Sequence, residues 1–321
     1  EVNIYVQSDS LKLAEKYELF AKNQQQVFDL KIELQNLKDV DQLLINLRNR
    51  LANISDIDEH LLRISKVVFC TLSFAGQQRM SNIRITSLIV DEAAQATEAD
   101  TIIPLQHNPR KCLLVGDTNQ LPAVVKSEIA KANNYGWSMM HRLQVEAGFP
   151  YKMLNIQYRM DPLIRSWPSK EFYKDRLEDS VDIAKRERLS LPKQICPYAF
   201  IDVKGKETTL YNSKKNDEEA DLVIKLLAYL QREGFALNKD VGIITFYSGQ
   251  VEHINKKLRD AKLYDIAAQT VDGFQGDEKN IILISFVRSN NRQNVGFLSD
   301  FRRLNVAITR AKNALIMVGN F

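Results

Sequence analysis

The sequence predicts an α/β protein built on parallel sheets, arranged as two α/β units behind an amino-terminal helical arm. Three observations carry this. Short apolar runs recur at helix-sized intervals and end in small, polar or acidic residues, as buried parallel strands do when ligands sit at their carboxyl ends. The first 66 residues contain no Gly and no Pro, a different texture from the rest. The length of 321 residues suits about two domains at roughly 150 residues each.

The arm comes first in the chain. Leu11–Ala21 reads as a helix. Val27, Leu30, Leu34, Leu37, Val40, Leu44, Leu47, Leu51 and Ile54 then recur in steps of three and four, which marks one helical face. An antiparallel stalk and an ordinary helical subdomain with a solvated charged face both fit this pattern. From residue 67 the strands begin, at Val67–Cys70, Ser87–Val90 and Cys112–Val115, and they resume at Val241–Phe246, Ile281–Phe286 and Ala314–Val318. Between them, Asp217–Arg232 sets Ala220, Val223, Leu227 and Leu230 on one face, and Gly234 stops the helix. Ser248 is placed to cap a helix carrying Val251, Ile254 and Leu258. The polar stretch Asp179–Pro197 reads as a loop. The expected organisation is an arm over 1–66, one unit over 67–150 and a second over 151–321.

Composition narrows the class. Hydrophobic residues at 45% and charged residues at 26% exclude a disordered or collagen-like chain. No run approaches the roughly 18 apolar residues of a membrane helix. Cys70, Cys112 and Cys196 stand far apart, which forms neither a zinc site nor a disulfide framework and suits a reducing compartment. The formal net charge is only +4, too small by itself to indicate nucleic acid. Residues 1–66 hold nine basic and eleven acidic side chains, so the positive excess lies on the α/β part. The start at Glu1, without Met or a signal peptide, is expected of a piece of something longer.

The sharpest chemical signal is Leu88-Ile89-Val90-Asp91-Glu92. A buried strand ending in two acids can set Asp91 near a Mg²⁺ ion and Glu92 beside an attacking water. Phosphoryl transfer needs both jobs done, because its barrier falls through positioning and charge neutralisation. Taken alone, such a pair serves as well to cap a following helix. A second strand, however, ends in Gly116-Asp117 and continues Thr118-Asn119-Gln120-Leu121-Pro122. Gly116 permits a tight turn there, and Gln120 is placed to sense a terminal phosphate.

Together these segments resemble motifs II and III of superfamily-1 helicases, and later motifs follow in the same order. Gln157-Tyr158-Arg159-Met160 is similar to the first motif of the second motor domain. Val241–Gln250 is similar to motif IV, Thr270–Glu278 to motif V, and Arg302–Lys312 to motif VI. The likeness runs from about Val67 to Phe321. Within the superfamily the wording is that of the branch holding the nonsense-mediated-decay RNA helicase and senataxin. The lead-in Gly296-Phe297-Leu298-x-Asp300-Phe301-Arg302-Arg303 looks most like the senataxin group.

The resemblance implies two RecA-like P-loop NTPase domains, the first incomplete, with residues 1–66 as a helical stalk inserted in it. It implies an ATP-dependent helicase, with Asp91 holding Mg²⁺, Glu92 polarising the hydrolytic water and Gln120 at the γ-phosphate. Tyr158 would stack on adenine, Arg159 would reach the γ-phosphate, and Arg310 would be the arginine finger. Gly276 and Glu278 would belong to the nucleotide site, Glu278 at the ribose. The nucleotide would lie between the two domains, opening and closing them. Thr71, Ser73, Tyr247, Ser248, Thr270 and Asp272 would hold single-stranded RNA or DNA, or an RNA–DNA hybrid, through its backbone. For each of these six, capping or turn formation is an equal reading. A nuclear location is implied too, with the cytoplasm as the alternative.

The sequence departs from the family at one point. A helicase of this kind needs Gly-x4-Gly-Lys-Ser/Thr ahead of the acidic strand. The one Gly-Lys pair here is Gly205-Lys206, which lacks the upstream Gly and is followed by Glu207. Either the missing amino-terminal part of the same motor domain lies outside this sequence, or the chain is a pseudo-helicase kept as an RNA-binding adaptor. Retention of Glu92, Gln120, Arg159 and Arg310 together favours the first, because a silent scaffold has no physical need of them.

Overall fold

In unit 1 two short strands, β1 (Ser87–Val90) and β2 (Lys111–Leu114), run parallel in the register Ser87↔Lys111 to Val90↔Leu114. The computed structural model describes Lys22 and residues 59–185, 191–193, 195–290 and 294–320. The arm expected over 1–66 therefore lies almost wholly outside the described residues; of it, Lys22 and residues 59–64 are seen to be helical. The chain divides into two compact units. One runs to Gly116 and includes Ala123–Met140; the other holds Asp117–Pro122 and His141–Phe321.

Helix α1 (Leu72–Ala75) precedes β1, and α2 (Glu98–Ile102) links β1 to β2. Thr97 opens α2 with a capping box: its hydroxyl accepts from Asp100 N–H while the Asp100 carboxylate accepts from Thr97 N–H. The strand expected at Val67–Cys70 is absent. Those residues are irregular, with Val67 and Phe69 exposed. An apolar run becomes a strand only where a neighbour takes its backbone hydrogen bonds, and among the described residues β1 and β2 pair only with each other.

Unit 2 carries a five-stranded sheet in the order β5-β11-β10-β8-β9, each neighbouring pair parallel. Its strands are β5 (Tyr198–Asp202), β8 (Val241–Thr245), β9 (Ala268–Thr270), β10 (Lys279–Ser285) and β11 (Ala311–Gly319). Alternate residues face opposite cores, as the two-residue period of a strand requires. Ile243, Ile281, Leu283, Ala314 and Ile316 meet Val223, Leu227 and Leu230 of one helix, Asp217–Arg232, and Ile254 and Leu258 of another, Ser248–Asp260. On the other face Ile244, Ile282, Ile284 and Met317 meet Ile164 of α4 (Pro162–Tyr173) and Val306 and Ile308 of α9 (Phe301–Ile308). Here α3 is Glu128–Ala132, α5 Val181–Lys185, α6 Asp217–Arg232, α7 Leu237–Asp240 and α8 Ser248–Asp260.

Two further expectations are corrected. Ser248 does not cap α8 but is its first residue, and the capping position falls to Tyr247, which makes no side-chain cap bond. The hydroxyl of Ser213 accepts the Gly249 N–H instead, at 3.0 Å, supplied by the hairpin of β6 (Glu207–Leu210) and β7 (Ser213–Asn216). The Asp179–Pro197 stretch is not all loop. Asp179 ends β4 (Glu178–Asp179), which pairs with β3 (Ile156–Gln157), and α5 follows with Ile183 buried and its N–H on the Ser180 hydroxyl.

A buried polar network ties the end of β10 to α6. The Glu219 carboxylate accepts from Ser285 Oγ (2.7 Å), Val287 N–H (2.9 Å) and Asn216 Nδ2 (3.1 Å). Gln250 bonds reciprocally with the Asn216 backbone and donates to Ser285 Oγ. Val287 sits at φ 72°, left-handed backbone that a β-branched residue adopts only under constraint. Asn216 Nδ2 also donates to its carbonyl.

Candidate functional site

Unit 1 presents its acids at the carboxyl end of β1. Asp91 and Glu92 are exposed, while Ala93 and Ala94 turn inward. Glu92 has φ 52°, and its N–H donates to Asp91 Oδ1 at 2.9 Å. Gln95 Nε2 donates to Glu92 Oε2 at 2.6 Å. The turn is held to the next strand by Ala93 N–H on the Val115 carbonyl (2.7 Å). Gly116 is required by this approach, because a Cβ there would stand 2.9 Å from Ala94 N and 3.0 Å from Ala93 N. Among the described residues no group of three or more His, Cys, Asp or Glu is gathered as a metal site. A single exposed carboxylate still suits Mg²⁺, which binds through one or two carboxylates and completes its shell with water and substrate phosphates.

Unit 2 gathers the other polar candidates. The carboxamide of Gln120 donates from Nε2 to Asp117 Oδ2 (2.9 Å), and its Oε1 accepts from Arg310 Nη2 (3.1 Å). Arg310 is only 4% exposed, and its Nε is anchored on the Val306 carbonyl of α9 (2.9 Å). Arg159 donates from Nε to Glu278 and from Nη1 to the Thr309 carbonyl (3.2 Å). Glu278 also meets Lys312 Nζ at 2.7 Å. Burial alone would raise the Glu278 pKa. The hydrogen bonds and charges of Lys312 and Arg159 outweigh it and hold the carboxyl below its ordinary value.

The peptide bearing Arg159 is fixed from behind. Gln157 donates to the Met160 carbonyl and to Asp179, both acceptors, so its own oxygen faces the N–H groups of Arg159 and Met160. Tyr158 consequently projects outward and is 65% exposed, an available stacking face. Gly276 has φ 88° with open space around its Cα, so its role is backbone conformation.

The six residues expected at nucleic acid are placed less uniformly. Ser73 and Ser248 are exposed. Thr71 caps α1 by accepting from Phe74 N–H (3.2 Å), and Thr270 Oγ1 accepts from Gly273 N–H (3.1 Å). Asp272 pairs with Arg303, at 3.4 Å. Tyr247 is buried and tilted against Phe297, whose N–H meets its hydroxyl (3.3 Å). Sequence reasoning assigned no role to Asp117, Asn305 or Lys312, although each stands inside a recognised motif, and Tyr173 carries no local signal at all. The network that joins them is visible only in three dimensions.

A family model described as an AAA domain matches residues 135–321, and a second of the same description matches residues 6–128. The chain is 41% identical to Helicase sen1 of Schizosaccharomyces pombe, covering 81% of this chain and 16% of that protein. It is 38% identical to a Regulator of nonsense transcripts 1 homolog of Drosophila melanogaster, covering 81% of this chain and 23% of that protein. The chain belongs to the superfamily-1 helicases. Within this superfamily its branch is the senataxin and nonsense-transcript one. Probable helicase MAGATAMA 3 of Arabidopsis thaliana is a further relative, 41% identical over 81% of this chain and 33% of that protein. As a superfamily-1 helicase sequence, the chain spans about a third or less of the length of these relatives.

Proposed function

We propose that this chain is the motor part of an ATP-dependent helicase that works on single-stranded RNA or DNA, or on RNA–DNA hybrids. The observation that carries the reading is the buried Arg310 guanidinium, anchored on α9 with one N–H resting on Gln120. In this reading the two groups, already in contact with each other, would take the oxygens of one anionic group together, the guanidinium as a charged donor. Residues 67–150 and 151–321 are read as the two motor halves and 1–66 as a stalk. A nuclear location is part of the same reading.

The residues divide the chemistry. Asp91 would hold Mg²⁺, which when bound neutralises phosphate charge. Glu92 would take the proton of the attacking water, Gln120 and Arg159 would hold the terminal phosphate, and Arg310 would meet charge developing on its oxygens. Tyr158 would stack on the base, with Gly276 and Glu278 at the ribose side. Thr71, Ser73, Tyr247, Ser248, Thr270 and Asp272 would follow the nucleic-acid backbone, Ser73 and Ser248 through side chains already exposed. The Gly-x4-Gly-Lys loop is not among these residues, so the reading takes the β- and γ-phosphate cradle from sequence outside them.

The test is the Glu92→Gln variant of the protein that contains this chain. Loss of a positioned general base lowers turnover by roughly 10²–10⁴-fold, while nucleotide binding should persist. Unchanged turnover removes Glu92 as the base. Tight single-strand binding with no nucleotide hydrolysis in the unaltered protein would instead establish a silent RNA-binding adaptor.

A further inference from the structure

One hydrogen-bond chain in unit 2 reaches beyond the residues that would touch nucleotide. Asn119 offers a carbonyl oxygen, which can only accept, and Asn305 Nδ2 donates to it at 2.9 Å. That fixes which end of the Asn305 amide is nitrogen. The same Nδ2 lies 2.8 Å from the Tyr173 hydroxyl, so the phenol oxygen accepts there. Its single proton is thereby directed to Asp117 Oδ2, at 2.6 Å.

Asp117 Oδ2 also accepts from Gln120 Nε2, and Asp117 Oδ1 accepts from Asn119 N–H at 2.9 Å. An ionised carboxylate accepts only, so the amide end of Gln120 must face it and the oxygen end must face the donor-only Arg310. The circuit closes through α9, which carries Asn305 and supplies the Val306 carbonyl that anchors Arg310. Tyr173 itself is fixed as the last residue of α4. Phe172 beside it stacks on Phe301 (6.2 Å) and meets Trp167 edge-on (5.4 Å), while Lys174 caps the helix in the left-handed region. Burial, and then the Asp117 charge, push the phenol above the ordinary tyrosine range, so it remains a donor at neutral pH.

We propose that Tyr173 is a positioning residue. Its hydroxyl, oriented by Asn305, holds the Asp117 carboxylate, which sets the Gln120 amide with its oxygen toward Arg310. This rests on the helicase reading only for the reaction it serves; the positioning itself is a property of the resting protein.

The experiment compares Tyr173→Phe, Gln120→Ala and the double variant in the protein containing this chain. Tyr173→Phe should lower kcat for nucleotide hydrolysis about tenfold, equivalent to about 1.4 kcal/mol, with KM changed less than about twofold. On a Gln120→Ala background the same substitution should have no further effect, because the group it orients is gone. Additive losses would overturn the proposal and leave Tyr173 as a packing residue. A second measurement reads the position without catalysis. Amide exchange across residues 117–122 should quicken about tenfold in Tyr173→Phe while β10 stays unchanged. Unaltered exchange there overturns the positioning role whether or not the protein hydrolyses nucleotide. Quickened exchange in a protein without hydrolysis sustains it and fails the helicase reading alone.

Discussion

The two parallel sheets are written in the same residues and end in different environments. In unit 2, Ile243, Ile244 and Ile281 through Ile284 are fully buried, each face of the sheet covered by helices. In unit 1, Ile89 is 66% exposed and Leu113 57%. Continuous apolar runs such as Leu88-Ile89-Val90 and Cys112-Leu113-Leu114 are the wording of strands buried on both faces. The difference shows that such a run forms a strand where a neighbour pairs with it, even when a face stays open, whereas Val67–Cys70, equally apolar, pairs with no described strand and forms none.

Truncation in the two sheets breaks the comparison most sharply. Ile244→Ala should destabilise unit 2 by about 2–5 kcal/mol, the cost of a fully buried Ile, whereas Ile89→Ala should change stability by less than about 0.5 kcal/mol. Thermal melts of the two variants check this, and equal losses would mean that the β1 face is covered in solution.

Buried polar groups extend the contrast. Burial pushes Glu219 up from 4.5 to about 7, against the hydrogen bonds of Ser285, Val287 and Phe286. A carboxyl raised in this way holds its proton more tightly folded than unfolded. Its contribution is complete below the unfolded value and is lost as pH rises through about 7. Stability should therefore fall by about 3 kcal/mol between roughly pH 4.5 and 7 from this group. Denaturant melts across that window should lose this slope in Glu219→Gln, and a retained slope would place its origin elsewhere. A smaller loss than that of Glu219 belongs to a cap in unit 1. Thr71→Ala should cost about 1 kcal/mol through loss of the α1 cap, read as faster amide exchange at Phe74, with exchange in β10 unchanged.

Much of this was legible in order along the chain. The Asp217–Arg232 helix and the cores of β8, β10 and β11 stand where periodicity set them, because their apolar pattern is continuous and their partners are near. Ser248 misled because the acceptor that satisfies α8 comes from Ser213, 35 residues earlier in the hairpin. The motif residues were recognisable as residue types, yet the pairing of Gln120 with Arg310, across 190 positions, had no local signal. Tyr173 was invisible for the same reason: its meaning lies in two partners, Asp117 and Asn305, that only the fold assembles.

Val287 has a consequence for how this sequence can vary. Its backbone asks for glycine, and its wholly enclosed side chain asks for a branched hydrocarbon. Glycine would relax the torsion but leave a hole, and isoleucine would overfill the site and keep the torsion unrelieved. No one-letter change satisfies both demands, so improvement here requires the neighbours Asn216 and Glu219 to move with it.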